Sequence, residues 1–172
     1  MSMKLRSQRL ALATIFGVIM AASGMLPTPI DKAVFMLQAF LLALGYLLIK
    51  RFGATYVALI GGFLLTFFRP SFIPFSFLFA FLYGLLVDGL SSLLRVKTSD
   101  TNIKTNMLIL SMTLSTTFIG LISYYTTVFV FGLLPSNPTL DIIIIIAGII
   151  NGALGGYLAS LVWRRKLHIL IT

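Results

Sequence analysis

Charged residues divide the chain into six apolar stretches: Leu10–Ile30, Ala33–Ile49, Phe52–Phe68, Pro70–Val87, Thr105–Leu140 and Ile142–Trp163. A helix needs about 20 mostly apolar residues to cross the hydrocarbon core of a bilayer, with a range of roughly 17–25. Five stretches fit one crossing each, and the fourth runs on past Asp88 because Gly89–Leu94 remains helix-compatible. The apolar part of the fifth, Asn106–Leu134, would span over ~40 Å as one helix, so it is either one long tilted helix or two short ones. The pattern predicts helices over about 10–26, 33–49, 53–68, 72–94, 106–134 and 141–163, in one domain covering 1–172.

Composition sharpens this picture. Of the 172 residues 59% are hydrophobic and 10% charged, against roughly 25% charged in a soluble domain. A soluble chain of this length buries only about 70% of its surface and could not hide that much apolar area. Disorder is excluded for the same reason. The formal net charge of +9 would suggest nucleic acid in a polar protein, but here the basic residues sit in short clusters between the apolar runs. With the N-terminus in the cytoplasm, the inner side holds Lys4, Arg6, Arg9, Lys50, Arg51, Arg95, Lys97, Lys104, Arg164, Arg165 and Lys166, and the outer side only Lys32 and Arg69. Eleven against two is a strong positive-inside bias. Splitting the fifth segment would put Arg164-Arg165-Lys166 outside, so the reading is an all-α integral membrane protein. It has six transmembrane helices, both termini inside, and sits as a multi-pass protein of the plasma membrane. The charge then reports topology, and no nucleic-acid partner is expected.

The first helix has the basic start and small residues (Ala21-Ala22-Ser23-Gly24) of a cleavable signal. Its apolar run continues through Met25-Leu26, which favours retention. The predicted outer connections carry five of the six prolines, at 27, 29, 70, 135 and 138, and proline stiffens a loop.

Several helices carry stripes at intervals of three or four residues. The first has Ala13, Gly17 and Ala21, small residues that admit a close helix neighbour. That neighbour is either within the chain or a separate subunit. The fourth has Ser76, Ala80, Gly84 and Asp88. Asp88 is the one ionisable residue well inside a predicted span, which makes it a functional candidate by default. Near the inner surface it also suits a structural role, pairing with Arg95 or capping backbone. The fifth helix carries Thr113, Thr116, Thr117, Gly120, Ser123, Tyr124 and Thr127 on one face, which points into the bundle. Tyr124 and Tyr125 in its outer half could stack on a flat ligand. The sixth has Gly148, Gly152 and Gly156 as a packing seam, with Asn151 nearer the outer end. Asn151 and Gln38 of the second helix are amides at similar depth, suited to a polar pocket or to interhelical bonding.

The absent chemistry is as informative. Glutamate and cysteine are missing, and the single histidine is His168, near the C-terminus. A histidine metal site or a Ser-His-Asp triad cannot be assembled. No Gly-rich phosphate loop with its lysine is present, and no acidic relay lies at mid-membrane. Catalysis is not expected and no cofactor is expected. Binding, transport within a complex, or scaffolding remain.

The six helices, the small-residue stripe Ala13-x-x-x-Gly17-x-x-x-Ala21 and the string Phe81-Leu82-Tyr83-Gly84-Leu85-Leu86-Val87-Asp88-Gly89 resemble the substrate-binding S component of energy-coupling factor (ECF) transporters. In that family the stripe reads Ala-x-x-x-Ala, and none of the vitamin-specific signatures is present here. The resemblance implies capture of a vitamin-sized solute, a vitamin or precursor, from outside. It also implies docking on a membrane T component driven by a cytoplasmic ATPase pair. On that pattern Ala13, Gly17 and Ala21 carry coupling, and Gln38, Arg69, Tyr124, Tyr125 and Asn151 are candidates for substrate binding. Arg69 suits a carboxylate or phosphate, or a headgroup anchor. Two other readings stay open: a non-transporting scaffold similar to rod-shape membrane proteins, and a small stand-alone oligomeric carrier.

Overall fold

The computed structural model describes residues 2–25, 31–49, 52–68, 75–96, 103–132 and 136–167. These form six helices: α1 (Ser2–Gly24), α2 (Asp31–Leu48), α3 (Gly53–Phe68), α4 (Phe75–Leu93), α5 (Thr105–Tyr125) and α6 (Pro138–Val162). A π-helical turn, Thr126–Val130, prolongs α5, and another, Trp163–Leu167, prolongs α6. The long fifth segment is thus one helix. It ends at Gly132, whose φ of +62° is the left-handed conformation that glycine adopts without steric cost.

Some boundaries differ from the expectation. Helix α1 begins at Ser2, so the basic stretch is helical instead of preceding the helix. Helix α6 begins at Pro138 because Asn137 caps it, its side-chain oxygen accepting from Thr139 N at 2.9 Å. Proline suits that first position, and Asp141 in the first turn complements the helix dipole. Asp141 is an N-terminal signal, although it looks like a boundary between apolar runs. Helix α4 closes with Arg95 at φ +49°, Val96 N donating to Ser91 O at 3.0 Å and Arg95 N to Ser92 O at 3.1 Å. Those paired bonds satisfy carbonyls that a helix end otherwise leaves bare.

The helices close into a ring in which α1 packs on α3, α3 on α4, α4 on α5, α5 on α6, α6 on α2 and α2 on α1. Helix α2 also touches α3, α4 and α5, so it stands closest to the centre. Its Ala39, Leu42, Ala43 and Leu47 are fully buried. The outer surface is apolar, with Ile142, Ile143, Ile146, Ile149 and Ile150 exposed along α6 and Ile15, Val18 and Ile19 along α1. Patches of that kind are rare on soluble proteins. By length and composition three helices can cross a membrane: Phe75–Leu93, Thr105–Val130 and Pro138–Arg165. The apolar parts of α1, α2 and α3, Leu10–Gly24, Phe35–Leu48 and Gly53–Phe67, are shorter.

Small residues set how closely the helices approach. A Cβ added to Gly152 would lie 2.6 Å from both Met112 O and Thr113 Cα, and one on Gly148 2.8 Å from Thr117 Cα. The glycine seam of α6 therefore receives the threonine face of α5. On α4, Ala80 meets Gly62 and Gly84 meets Ala54, Thr55 and Ala58 of α3. The same principle accounts for α1: Ala13, Gly17 and Ala21 are buried, and a Cβ on Gly17 would lie 2.7 Å from Ile60 Cγ2 and 3.1 Å from Gly61 N. The stripe considered for subunit coupling is thus buried within the chain, with α3 against Gly17.

Asp88 extends the α4 stripe by one more turn. Its carboxylate accepts from Ala54 N at 3.2 Å, Thr55 N at 2.7 Å and Thr55 Oγ1 at 2.6 Å. Those two amides are among the first four of α3, which have no partner inside their own helix. Gly84 lets the start of α3 settle on α4, and Asp88 caps it from across the gap. Its partners are those amides and the Thr55 hydroxyl; Arg95 is exposed.

Candidate functional site

Hydroxyls dominate the polar content of the bundle, and most bond within their own helix. Thr113, Ser115, Thr116 and Thr117 each donate to the carbonyl four residues back, at 2.7 to 2.9 Å. Such bonds let a polar side chain sit in an apolar interior. Two pairs cross to α4: Ser91 Oγ lies 2.7 Å from Ser111 Oγ, and the Tyr83 hydroxyl 2.8 Å from Thr116 Oγ1. Thr116 has a single proton and donates it to Met112 O, so Tyr83 is the donor to Thr116.

Above these pairs lies a cavity of about 520 Å³ to which all six helices contribute. Each contributes from the same end: Met20 and Gly24 close α1, Phe35 and Gln38 open α2, and Leu65 closes α3. Ser76 and Phe79 open α4, Ser123 and Tyr124 close α5, and Ile144 to Asn151 open α6. The size falls within the roughly 300–1,000 Å³ of ligand sites. At the opposite end Arg95, Lys104, Arg164 and Arg165 are exposed. There the side chains pack closely: Leu47, Val57, Val96, Leu108 and Trp163 are buried.

Three of the five residues expected to bind substrate come together here. Gln38, Tyr124 and Asn151 line the cavity. Among the described residues nothing bonds the Gln38 amide. Asn151 Nδ2 donates to Ala147 O at 2.9 Å, which leaves its carbonyl oxygen as an acceptor. Tyr124 is buried, and its hydroxyl is engaged: it accepts from Asn137 N at 3.1 Å and lies 3.4 Å from Asn137 O. It offers the cavity its ring and pins the entry to α6. Tyr125 does not line the cavity. It is exposed and stacks on Phe129, with ring centroids 5.9 Å apart. Adjacent residues on a helix point about 100° apart, so only one of the two tyrosines can face inward. Arg69 lies outside the described residues.

The walls also hold residues that the sequence did not mark as candidates for binding. Phe35, Phe79 and Tyr83 add aromatic surface, and the hydroxyl of Ser76 adds a polar group. Ser76 stands at the head of the α4 stripe, and that register was its signal. Nothing in the sequence marks Phe35 or Phe79 among so many phenylalanines. No three of His, Cys, Asp and Glu among the described residues converge as metal ligands would. No protein-family model, curated protein or solved structure matches this chain.

Proposed function

We propose that this chain is the substrate-capture subunit of an ATP-driven importer of the energy-coupling factor kind. It crosses the plasma membrane six times with both termini in the cytoplasm. The observation that carries this reading is the cavity, built from the same half of every helix at the end poor in basic residues. Positive charge concentrates on the cytoplasmic side of membrane proteins, so that half faces out. The other half is filled by buried side chains, among them Leu47, Val57, Leu108 and Trp163. A packed inner half and an outer cavity suit capture followed by a large movement, and they do not suit a pore. A pure scaffold has no use for such a cavity.

The chain has no phosphate-binding loop of its own, so energy comes from partners: a membrane T component and a cytoplasmic ATPase pair. Coupling through Ala13, Gly17 and Ala21 does not carry over to this reading, because all three are buried within the chain and Gly17 meets Ile60 of α3.

The test is a thermal-shift screen of the detergent-purified protein against vitamins and their precursors, with an affinity pull-down of subunits from native membranes. A ligand at a hundredfold excess over its Kd stabilises the folded state by about 2.7 kcal/mol. At least one compound should raise the melting temperature, and the T component and ATPases should co-purify. No shift with any compound, together with no co-purifying subunits, overturns the proposal.

A further inference from the structure

Resting on the capture reading, we infer that the cavity opens along its side, between the outer halves of α2 and α6, and takes an amphiphile from the outer leaflet. Its walls are unequally shut. Met20 of α1, Gly61 and Gly62 of α3, Tyr83 of α4, and Thr116 and Tyr124 of α5 line it and are buried. Among the described lining residues two are exposed, Phe35 of α2 at 55% and Ala147 of α6. Those two helices are neighbours in the ring. They meet closely at the level of Gly155, where an added Cβ would lie 2.8 Å from Ala39 Cβ. Farther out α6 stays on α5: Gly152 meets Met112 and Thr113, Gly148 meets Thr117, and Ile144 meets Gly120. On its α2 side the cavity wall comes to the surface.

The opening runs from the outer end of α2 down the flank of α6. From Pro138 to Ala147 the helix rises ~14 Å, which sets Ala147 at acyl-chain depth in a hydrocarbon core about 30 Å thick. Ile143 and Ile150 lie one turn to either side of Ala147 on the same face, and both are exposed. The lipid-facing isoleucines thus run without a break into the cavity wall. Phe35, Leu65 and Phe79 enclose an apolar body, but acyl chains solvate such a body equally well. Preference over lipid therefore comes from hydrogen bonds. The Asn151 carbonyl, one turn deeper than Ala147, is free to accept, and Ser76 and Ser123 add hydroxyls. A hydroxyl or N–H that finds no partner among acyl chains gains one here.

The experiment uses the full chain in phosphatidylcholine nanodiscs. The chain has no cysteine, so Ala147→Cys carries a single bimane. Lipids brominated on the acyl chain should quench it and aqueous iodide should not. Binding of retinol and tocopherol, each a hydroxyl on an apolar body, is measured beside that of thiamine and riboflavin. The two amphiphiles should bind, and Asn151→Leu should weaken them about tenfold or more. Ala147→Trp should slow their association about tenfold with the melting temperature unchanged. Ile146→Trp, on the exposed face of α6 and clear of the cavity, should bind as wild type. Quenching by iodide instead of brominated lipid, or binding confined to the water-soluble pair, overturns this inference and leaves capture standing. No binding by any of the four also overturns it, and if no subunits co-purify the capture reading falls with it.

Discussion

Asp88 is the residue whose role the structure changes most, and Asp88→Ala tests that role. The carboxylate receives three hydrogen bonds, two of them from amides at the start of α3 that have no helical partner. It is only 5% exposed, so water cannot replace it. Each buried donor left unpaired costs about 1–3 kcal/mol, and a carboxylate at a helix N-terminus adds a favourable dipole interaction of about 0.3–1 kcal/mol. The three bonds share one acceptor group and are not additive, so Asp88→Ala should cost about 2–4 kcal/mol, the cost of the neutral donors it leaves unpaired. Asp88→Asn keeps one good acceptor and should lose roughly half of that. Unfolding of the purified protein by heat or denaturant in a fixed detergent, with ligand binding measured on the folded fraction, separates the possible roles. The account predicts a large loss of stability and near-normal affinity once folded. Unchanged stability with abolished uptake would refute it and return Asp88 to a place in the transport chemistry.

Glycine substitutions should differ in sign according to what their Cβ meets. Gly152→Ala drives a methyl into the Met112–Thr113 backbone and should cost about 1–3 kcal/mol. Gly89→Ala meets nothing within 4 Å and should stabilise α4 by up to ~1 kcal/mol; equal effects in thermal unfolding would contradict the packing of α5 on α6. Gly17→Leu should displace α1 from Ile60 and Gly61, lowering melting temperature and, through Met20 and Gly24 of the cavity wall, ligand affinity together. Loss of uptake with stability and affinity both intact would instead make the stripe a coupling surface. Tyr83→Phe removes the hydroxyl that bridges α4 and α5 and should cost about 1 kcal/mol in the same unfolding assay.

Helix number and order were legible because apolar runs and charge clusters are properties of the chain itself. Six runs became six helices, and the long fifth run stayed whole. The register of stripes was legible too, since 3.6-residue periodicity places Thr113 and Thr117 on one face of α5 and Gly148 and Gly152 on one face of α6. What each stripe meets was not legible. Ala13, Gly17 and Ala21 look the same whether they await a partner or receive α3, because a row of small residues records closeness and omits the neighbour. Asp88 is a similar case: its three donors lie more than thirty residues away in sequence, two of them anonymous backbone amides. In the cavity, amides were found because they are rare in apolar helices. Tyr124 and Tyr125 could not be separated until the end of α5 fixed which ring turned inward.

The outward cavity is the claim on which the rest depends, and the chain is suited to a direct test because it contains no cysteine. Ser123→Cys places a single thiol in the cavity wall, and Ser91→Cys places one in the packed α4–α5 contact below it. In right-side-out membranes a membrane-impermeant maleimide should label Ser123→Cys from the outside, more slowly when the solute is bound, and should spare Ser91→Cys. Labelling of Ser123→Cys only from the cytoplasmic side would contradict the account.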